Sequence, residues 1–421
     1  MASHRLPHCS TSLFRLSYLI VGTLTIFAMS TILASLASAS TTQVIYSFTG
    51  GKDGEYLDTD LVVDSAGNIY GTTVQGGDFG GGTVFQLSPS GTGWTHTVLY
   101  SFTGGTDGGE PYKGVTLDAQ GNLYGTAVTG GGGSCEGGCG VVFKLTKSGG
   151  TWTQTVIHYF TGGSDGSGPG SGVTFDQHGH LYGMTPTAGA YGLGSVYQLQ
   201  PQTGGSWKLH VVHAFTGGDD GSSGSAGRLI LDGAGNLYGV ATVGGAYGHG
   251  VAFEIVRSQT GWTLVPLYAF KDQPDGASPY GGVIFDKAGN LYGTTYYAGV
   301  NDVGTVYKLT NANGSWSETV LYSFKGGTDG SSPISTLVRD AAGNLYGTTS
   351  DGGTNCACGV IFKVRRNSNG SWTETVPYRF PGAPASGFAY NGMAPGPGGK
   401  FYGATTHGGP ANDGTVYEFI P

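Results

Sequence analysis

The sequence predicts an all-β fold, a seven-bladed β-propeller of four-stranded blades whose ring is closed by the N-terminal strand. Composition, a sevenfold repeat and the phase of that repeat carry the prediction. Glycine supplies 82 of 421 residues, charged residues only 11 % and aromatics 12 %. Glycine costs a helix about 1 kcal/mol per residue relative to alanine, so long helices are excluded. Collagen is excluded because glycine has no triplet period. With 25 Tyr, 19 Phe and 6 Trp, the chain holds too many large apolar side chains for simple disorder.

Three phrases recur seven times in fixed order. G-N-L-Y-G places its tyrosine at Tyr70, Tyr124, Tyr182, Tyr238, Tyr292, Tyr346 and Tyr402. G-T-V-F/Y places its aromatic at Phe85, Phe143, Tyr197, Phe253, Tyr307, Phe362 and Tyr417. Y-S-F-T-G-G places its phenylalanine at Phe48, Phe102, Phe160, Phe215, Phe270, Phe324 and Phe380. Four short strands in a unit of about 55 residues, repeated seven times, describe propeller blades.

Each unit reads as strands a to d. In residues 111–160, Val115 to Leu117 forms a, Asn122 to Thr126 forms b, Val141 to Leu145 forms c, and Trp152 to Phe160 forms d. Strand d alternates with period two at Trp152, Val156 and His158. The intervening D-x-x-G-N and S-G-G-T-W stretches are hairpin turns. The repeat begins with a lone strand d, Gln43 to Phe48, and ends with a lone strand c, Gly414 to Phe419. Pairing the two completes the last blade and removes an open edge.

The N-terminus reads as a targeting segment. Arg5 and Arg15 precede an apolar run from Leu16 to about Ala37, closed by the small-x-small Ala37-Ser38-Ala39. The expectation is a signal peptide over 1–39, cleaved after Ala39, and a propeller over 40–421. A retained membrane anchor is the competing reading, since the run is long enough to span a bilayer. Cleavage changes the net charge from −8 to −10. An acidic exported chain lacks the clustered Lys and Arg that nucleic acid requires. A secreted or extracytoplasmic monomer is expected, with no membrane span after cleavage.

The ordered G-N-L-Y-G-T-T, G-T-V-F-K-L and T-V-L-Y-S-F-T-G-G-x-D-G phrases resemble the GloVer (Gloeo_Verruco) repeat of choice-of-anchor tandem-repeat proteins. The resemblance covers residues 43–419. It implies a bacterial exported protein and a propeller, without specifying an activity. The resemblance also implies a C-terminal surface anchor, which is not expected here because strand c is followed only by the last residues of the sequence. Kelch propellers, with their Gly-Gly, aromatic and Trp pattern, are the weaker resemblance and give the same architecture.

Two aspartate series stand out. The Asp of D-x-x-G-N, at Asp64, Asp118, Asp176, Asp232, Asp286 and Asp340, reads as a cap on the a–b turn. Asp53, Asp107, Asp165, Asp220, Asp275 and Asp329 lie in the d–a connections, each five residues after the strand-d Phe. They are expected around one mouth of the channel, as turn residues or as ligand-binding carboxylates. No EF-hand spacing or nonapeptide calcium repeat occurs, so no cofactor is expected, with calcium at this ring as the alternative. His158 and His213 replace the strand-d tyrosine and are expected in the core or between blades.

Cys135 and Cys139 fall in the b–c loop of blade two, and Cys356 and Cys358 in that of blade six, the two longest b–c loops. Local disulfides are favoured over a cross-ring link. Two separated pairs do not assemble a four-ligand zinc site. No H-E-x-x-H occurs, and the G-x-S-x-G at Gly162 to Gly166 lacks the strand-turn-helix context of a nucleophile elbow. The Asn313 and Asn369 sequons read as Asn-Gly turns. Near-uniform loops favour a binding scaffold for an extracellular glycan or surface protein. The alternative is a secreted polysaccharide hydrolase or lyase using two carboxyls at the acidic mouth.

Overall fold

The computed structural model describes residues 40–222, 227–259, 261–353 and 356–421. The predicted signal peptide and its cleavage site lie outside the described residues. Among the described residues seven antiparallel blade sheets follow one another along the chain, with a fifth strand added to the sixth and a separate two-stranded pair beside the seventh. Blade 1 contains strand a Val62–Val63, b Ile69–Thr73, c Thr83–Ser90 and d Gly93–Ser101. Blade 2 contains Val115–Leu117, Leu123–Ala127, Val141–Ser148 and Thr151–Tyr159, within a few residues of the expected bounds. Blades 3 to 6 repeat the pattern. Blade 7 joins Ala394–Pro395, Phe401–Thr405 and Thr415–Ile420 to the N-terminal strand Thr41–Ser47. Thr41 pairs with Ile420 and Ser47 with Thr415.

The three phrases meet in the core. Strand b is fully buried in blade 1, and its Gly71 lies opposite Phe85 of strand c. A Cβ on Gly71 would approach Phe85 Cζ to 2.7 Å, so the glycine leaves room for the ring. The phenylalanine ending the preceding strand d then packs edge-on against that ring. The Phe48–Phe85 centroids are 5.1 Å apart, Phe102–Phe143 5.0 Å and Phe380–Tyr417 5.4 Å. The strand-d tryptophan reaches the other way, as in Trp94 against Tyr402 and Trp207 against Tyr124. Seven apolar clusters result, each built from two consecutive blades. One joins Phe48, Leu61 and Phe85 to Ala394, Tyr402 and Val416, so first and last blades pack like any other pair. No blade covers its own faces, and the ring does so collectively.

Strand d departs from the expected alternation. Every c–d ladder carries a β-bulge at the same register, leaving Leu99, Ile157, Val212, Leu267, Leu321 and Ile45 unpaired at six of the seven. The period-two series at Trp152 and Val156 is therefore interrupted before His158. An extra residue bends and twists the strand, and four of these side chains are buried.

The a–b turns behave as caps. Asp64 Oδ1 accepts from the Ala66 and Asn68 amides, both at 2.9 Å, and Oδ2 from Asn68 Nδ2 and the Tyr70 hydroxyl. The same tyrosine-to-aspartate bond recurs in blades 2 to 6. In blade 7, which has Gly396 there, the Tyr402 hydroxyl donates to Glu418 instead.

Candidate functional site

Each d–a connection pairs with the b–c loop of its own blade. The bridges are Glu55 to Gln75, Gly109 to Thr129, Ser167 to Thr187, Ser222 to Val243 and Ala277 to Tyr297. Blades 6 and 7 do the same with short strand pairs, Ser331 to Asp351 and Ser386 to Gly408. Both loop sets therefore build one face. Phe79, Tyr191, Tyr247 and Tyr297 on its b–c loops are all more than half exposed. Lys271 Nζ stands 5.7 Å from the Tyr247 ring centroid.

The six d–a aspartates are bound within their own loops. Asp107 Oδ2 accepts from the Thr103 amide and the Tyr100 hydroxyl, each at 2.9 Å. Asp53 takes the Thr49 amide and Tyr46 hydroxyl, and Asp165 the Thr161 amide. Asp275 takes the Lys271 amide and Tyr268 hydroxyl, and Asp329 the Lys325 amide and Tyr322 hydroxyl. Where tyrosine is replaced, histidine takes its place: His213 Nε2 is 2.8 Å from Asp220, and His158 Nε2 3.4 Å from Asp165. Burial lowers the His158 pKa, against the pull of Asp165. These carboxylates tie each connection to the outermost strand, and none lines the channel cavities described below.

Both local disulfides form, Cys135–Cys139 and Cys356–Cys358, with Cα separations of 5.1 and 5.2 Å. Cys139 packs with Phe160 between blades 2 and 3, and the Ser134 amide of the same loop donates to Thr161 O.

The channel breaks the repeat. Strand a residues of six blades, among them Val62, Val115, Ile230, Ile284, Val338 and Ala394, line an apolar cavity of about 340 Å³. At its loop-face end stands Arg228, in a register that is glycine at Gly114, Gly172, Gly282 and Gly392. The guanidinium crosses toward blades 2 and 3. Nη2 donates to the Lys113 and Val115 carbonyls at 2.7 and 3.1 Å, and Nη1 to Val173 O and the Thr116 hydroxyl. Asp60 lies 3.8 Å from Nε. Burial lowers the Arg228 pKa while Asp60 opposes it, and a guanidinium remains charged regardless.

Above this plug, Lys113 Nζ binds Asp58 at 3.1 Å and Asn391 Oδ1 at 3.0 Å. Burial works against the Lys113 charge, yet Asp58 and Asp60 outweigh it and raise its pKa. Tyr280, Tyr390 and Asn391 line a niche of about 10 Å³, the size of one water, with Lys113 and Asp60. Tyr296 stacks edge-on at 5.4 Å from Tyr280 and 4.5 Å from Tyr297. Burial and the charges of Asp351 and Asp58 raise the Tyr390 pKa, and burial with Glu110 and Asp58 raises that of Tyr112. The result is an aromatic mouth with one cation, two carboxylates and one amide. Sequence reasoning placed Tyr297 on this face but missed Asp58, Tyr112, Lys113, Arg228, Tyr280 and Tyr390. Their signal was asymmetry: Asp58, Tyr112, Tyr280 and Tyr390 all stand ten residues after the strand-d Phe, where the blades disagree.

The family model described as the Gloeobacter/Verrucomicrobia repeat matches residues 25–229, 129–317 and 225–421. The chain belongs to this repeat family. No functionally curated protein matches it in sequence. Among solved structures, this repeat protein is similar to a Bacteroides uniformis protein provisionally assigned as a 6-phosphogluconolactonase. The identity is 15 % and the TM-score 0.50, over 76 % of this chain and 83 % of that one. A Dyadobacter fermentans protein of unknown function aligns at 11 % identity and TM-score 0.47, over 91 % and 99 % of the two chains. A Lactobacillus plantarum protein aligns at 12 % and 0.47, over 77 % and 85 %. At such identities the first likeness is one of fold alone.

Proposed function

We propose that this repeat protein is an exported, non-catalytic scaffold that binds carbohydrate or a carbohydrate-bearing surface polymer on its d–a and b–c loop face. The observation that carries this is the channel mouth, where tyrosines from blades 2, 5 and 7 stand beside Asp58, Lys113 and Asn391. Sugars present hydroxyls to such polar groups and C–H faces to aromatic rings. The exposed Phe79, Tyr191, Tyr247 and Tyr297 around it offer further stacking positions, and several weak contacts on one polymer give avidity. The six d–a aspartates serve this function by holding the loops that carry the face. Two disulfides suit an oxidising compartment, and no helix among the described residues is long and apolar enough to cross a membrane.

The hydrolase or lyase alternative needs two carboxyls at a cavity. The carboxyls with raised pKa, Glu318 and Glu374, lie beside Asp275 and Asp329 and line neither channel cavity. A glycan array probed with the parent protein and with Tyr280→Ala/Tyr390→Ala tests the proposal. Binding by the parent, lost in a double variant of unchanged melting temperature, is the expected result. Retention of every glycan by the folded variant would move the site away from the mouth, and turnover of a bound polysaccharide would favour the enzyme. The companion Asp107→Ala/Asp220→Ala/Asp329→Ala variant is expected to lose stability and binding together.

A further inference from the structure

Blade 3 carries an anomaly in its a–b turn, on the face opposite the channel mouth described above. In five other blades the residue four after the turn aspartate is asparagine, at Asn68, Asn122, Asn236, Asn290 and Asn344. Each donates its amide to the aspartate at 2.6 to 3.0 Å. In blade 3 it is His180, whose Nδ1 lies 2.8 Å from Asp176 Oδ2. That substitution alone is a turn mimic. His178 is different. Its counterparts are Ala66, Gln120, Ala234, Ala288 and Ala342, so the turn needs only a backbone amide there. His178 supplies that amide to Asp176 Oδ1 at 2.8 Å, leaving its imidazole without a role in the turn.

That imidazole nevertheless faces the same carboxylate. His178 Nδ1 is 3.9 Å from Asp176 Oδ2, and the two histidine rings stack at 5.8 Å with 24° between their planes. One donor atom from each of the three residues lies within 4.8 Å of the others. Tetrahedral ligands with bonds of about 2.0–2.1 Å stand about 3.3 Å apart, between the 2.8 and 3.9 Å observed. The His178 side chain is 57 % exposed. A cleft of about 130 Å³ opens beside the turn, lined by Asp176, His178, Asp232 and Arg257.

We propose that Asp176, His178 and His180 bind one divalent transition-metal ion of borderline softness, through Asp176 Oδ2 and the two Nδ1 atoms. His180 binds as the tautomer protonated on Nε2, so the ion replaces the Nδ1 hydrogen bond to Asp176. Two imidazoles and a carboxylate suit Zn²⁺ and Cu²⁺, with Cu²⁺ held more tightly in the Irving–Williams order. Ca²⁺ and Mg²⁺ require oxygen ligands and are rejected.

The test titrates the metal-free full chain with Cu²⁺ and with Zn²⁺ in a weakly coordinating buffer, beside His178→Ala and His180→Asn. The second variant installs the residue of five other turns and keeps the fold. The chain has other histidines, so the difference between parent and variants is what is read. The parent is expected to bind one more ion than either variant, or the same ion at least about tenfold more tightly. Its Cu²⁺ resonance spectrum should show two imidazole nitrogens, and one in each variant. Excess Ca²⁺ should not displace the ion. Equal stoichiometry, affinity and spectra in parent and both variants would overturn the proposal, as would displacement by Ca²⁺.

Discussion

At the residue scale, repetition marks positions that hold the fold, and departures from it mark positions free to do something else. The turn aspartates are the first kind. Asp118 accepts from the Gln120 and Asn122 amides, the Asn122 side chain and the Tyr124 hydroxyl. Asp118→Ala orphans these donors, one of them on a buried tyrosine, and should cost about 1–3 kcal/mol in denaturant unfolding. Its recurrence in six blades made that role legible. Arg228 and Lys113 are the second kind. Each looks unremarkable in its own segment, and their meeting requires blades 2, 4 and 7 to converge on one axis. The d–a aspartates were legible as a series, but their hydrogen bonds back to strand d were not. Five residues past the strand-d Phe the chain is still beside strand d, and it reaches the channel only at ten to twelve.

Glu318 gives a pH dependence at this scale. Burial, reinforced by the Asp275 charge, raises its pKa to about 8 in the folded chain. An unfolded glutamate titrates near 4.3, so the folded state holds the extra proton between these values. The stability attached to that proton is complete below about pH 4.3 and is lost as pH rises through about 8. Glu318→Gln removes this loss. Its melting temperature relative to the parent should climb between pH 5 and 8 and level off above, and a pH-independent difference would contradict the assignment.

At the element scale, a bulge in every c–d ladder shows what binary patterning conceals. Period two reads Trp152, Val156 and His158 as one face, whereas the ladder skips Ile157 and changes register before His158. A bulge needs no glycine or proline, so nothing in T-V-I-H-Y announces it. The strand phrases were legible because each carries its packing partner. The glycine in G-N-L-Y-G exists because an aromatic in G-T-V-F lies over it, and the Phe of Y-S-F-T-G-G packs on that aromatic. Hairpin chemistry placed the a–b and c–d turns, and loop length placed both cysteine pairs.

At the scale of the whole molecule, the seven inter-blade clusters make stability collective. The strand Thr41–Ser47 is the outer strand of the sheet that contains the C-terminal strand Thr415–Ile420. Deleting residues 40–47 would expose the edge of Thr415–Ile420 and remove Ile45 and Tyr46 from the junction of the last and first blades. Open edges pair with other chains. The truncated protein should melt lower and self-associate in light scattering, whereas a monomer of parental stability would contradict a closing role for this strand. The order of d first and c last, read from the sequence, is the same arrangement seen in the pairing of Thr41–Ser47 with Thr415–Ile420.

The most direct test of the central claim, that recognition sits at the symmetry-broken channel mouth, is hydrogen exchange of the parent with and without a glycan selected on the array. The account predicts added protection in peptides covering residues 109–114, 277–282 and 388–392, with no change at the a–b turns of the opposite face. Protection confined to those turns, or spread evenly over all seven blades, would contradict it.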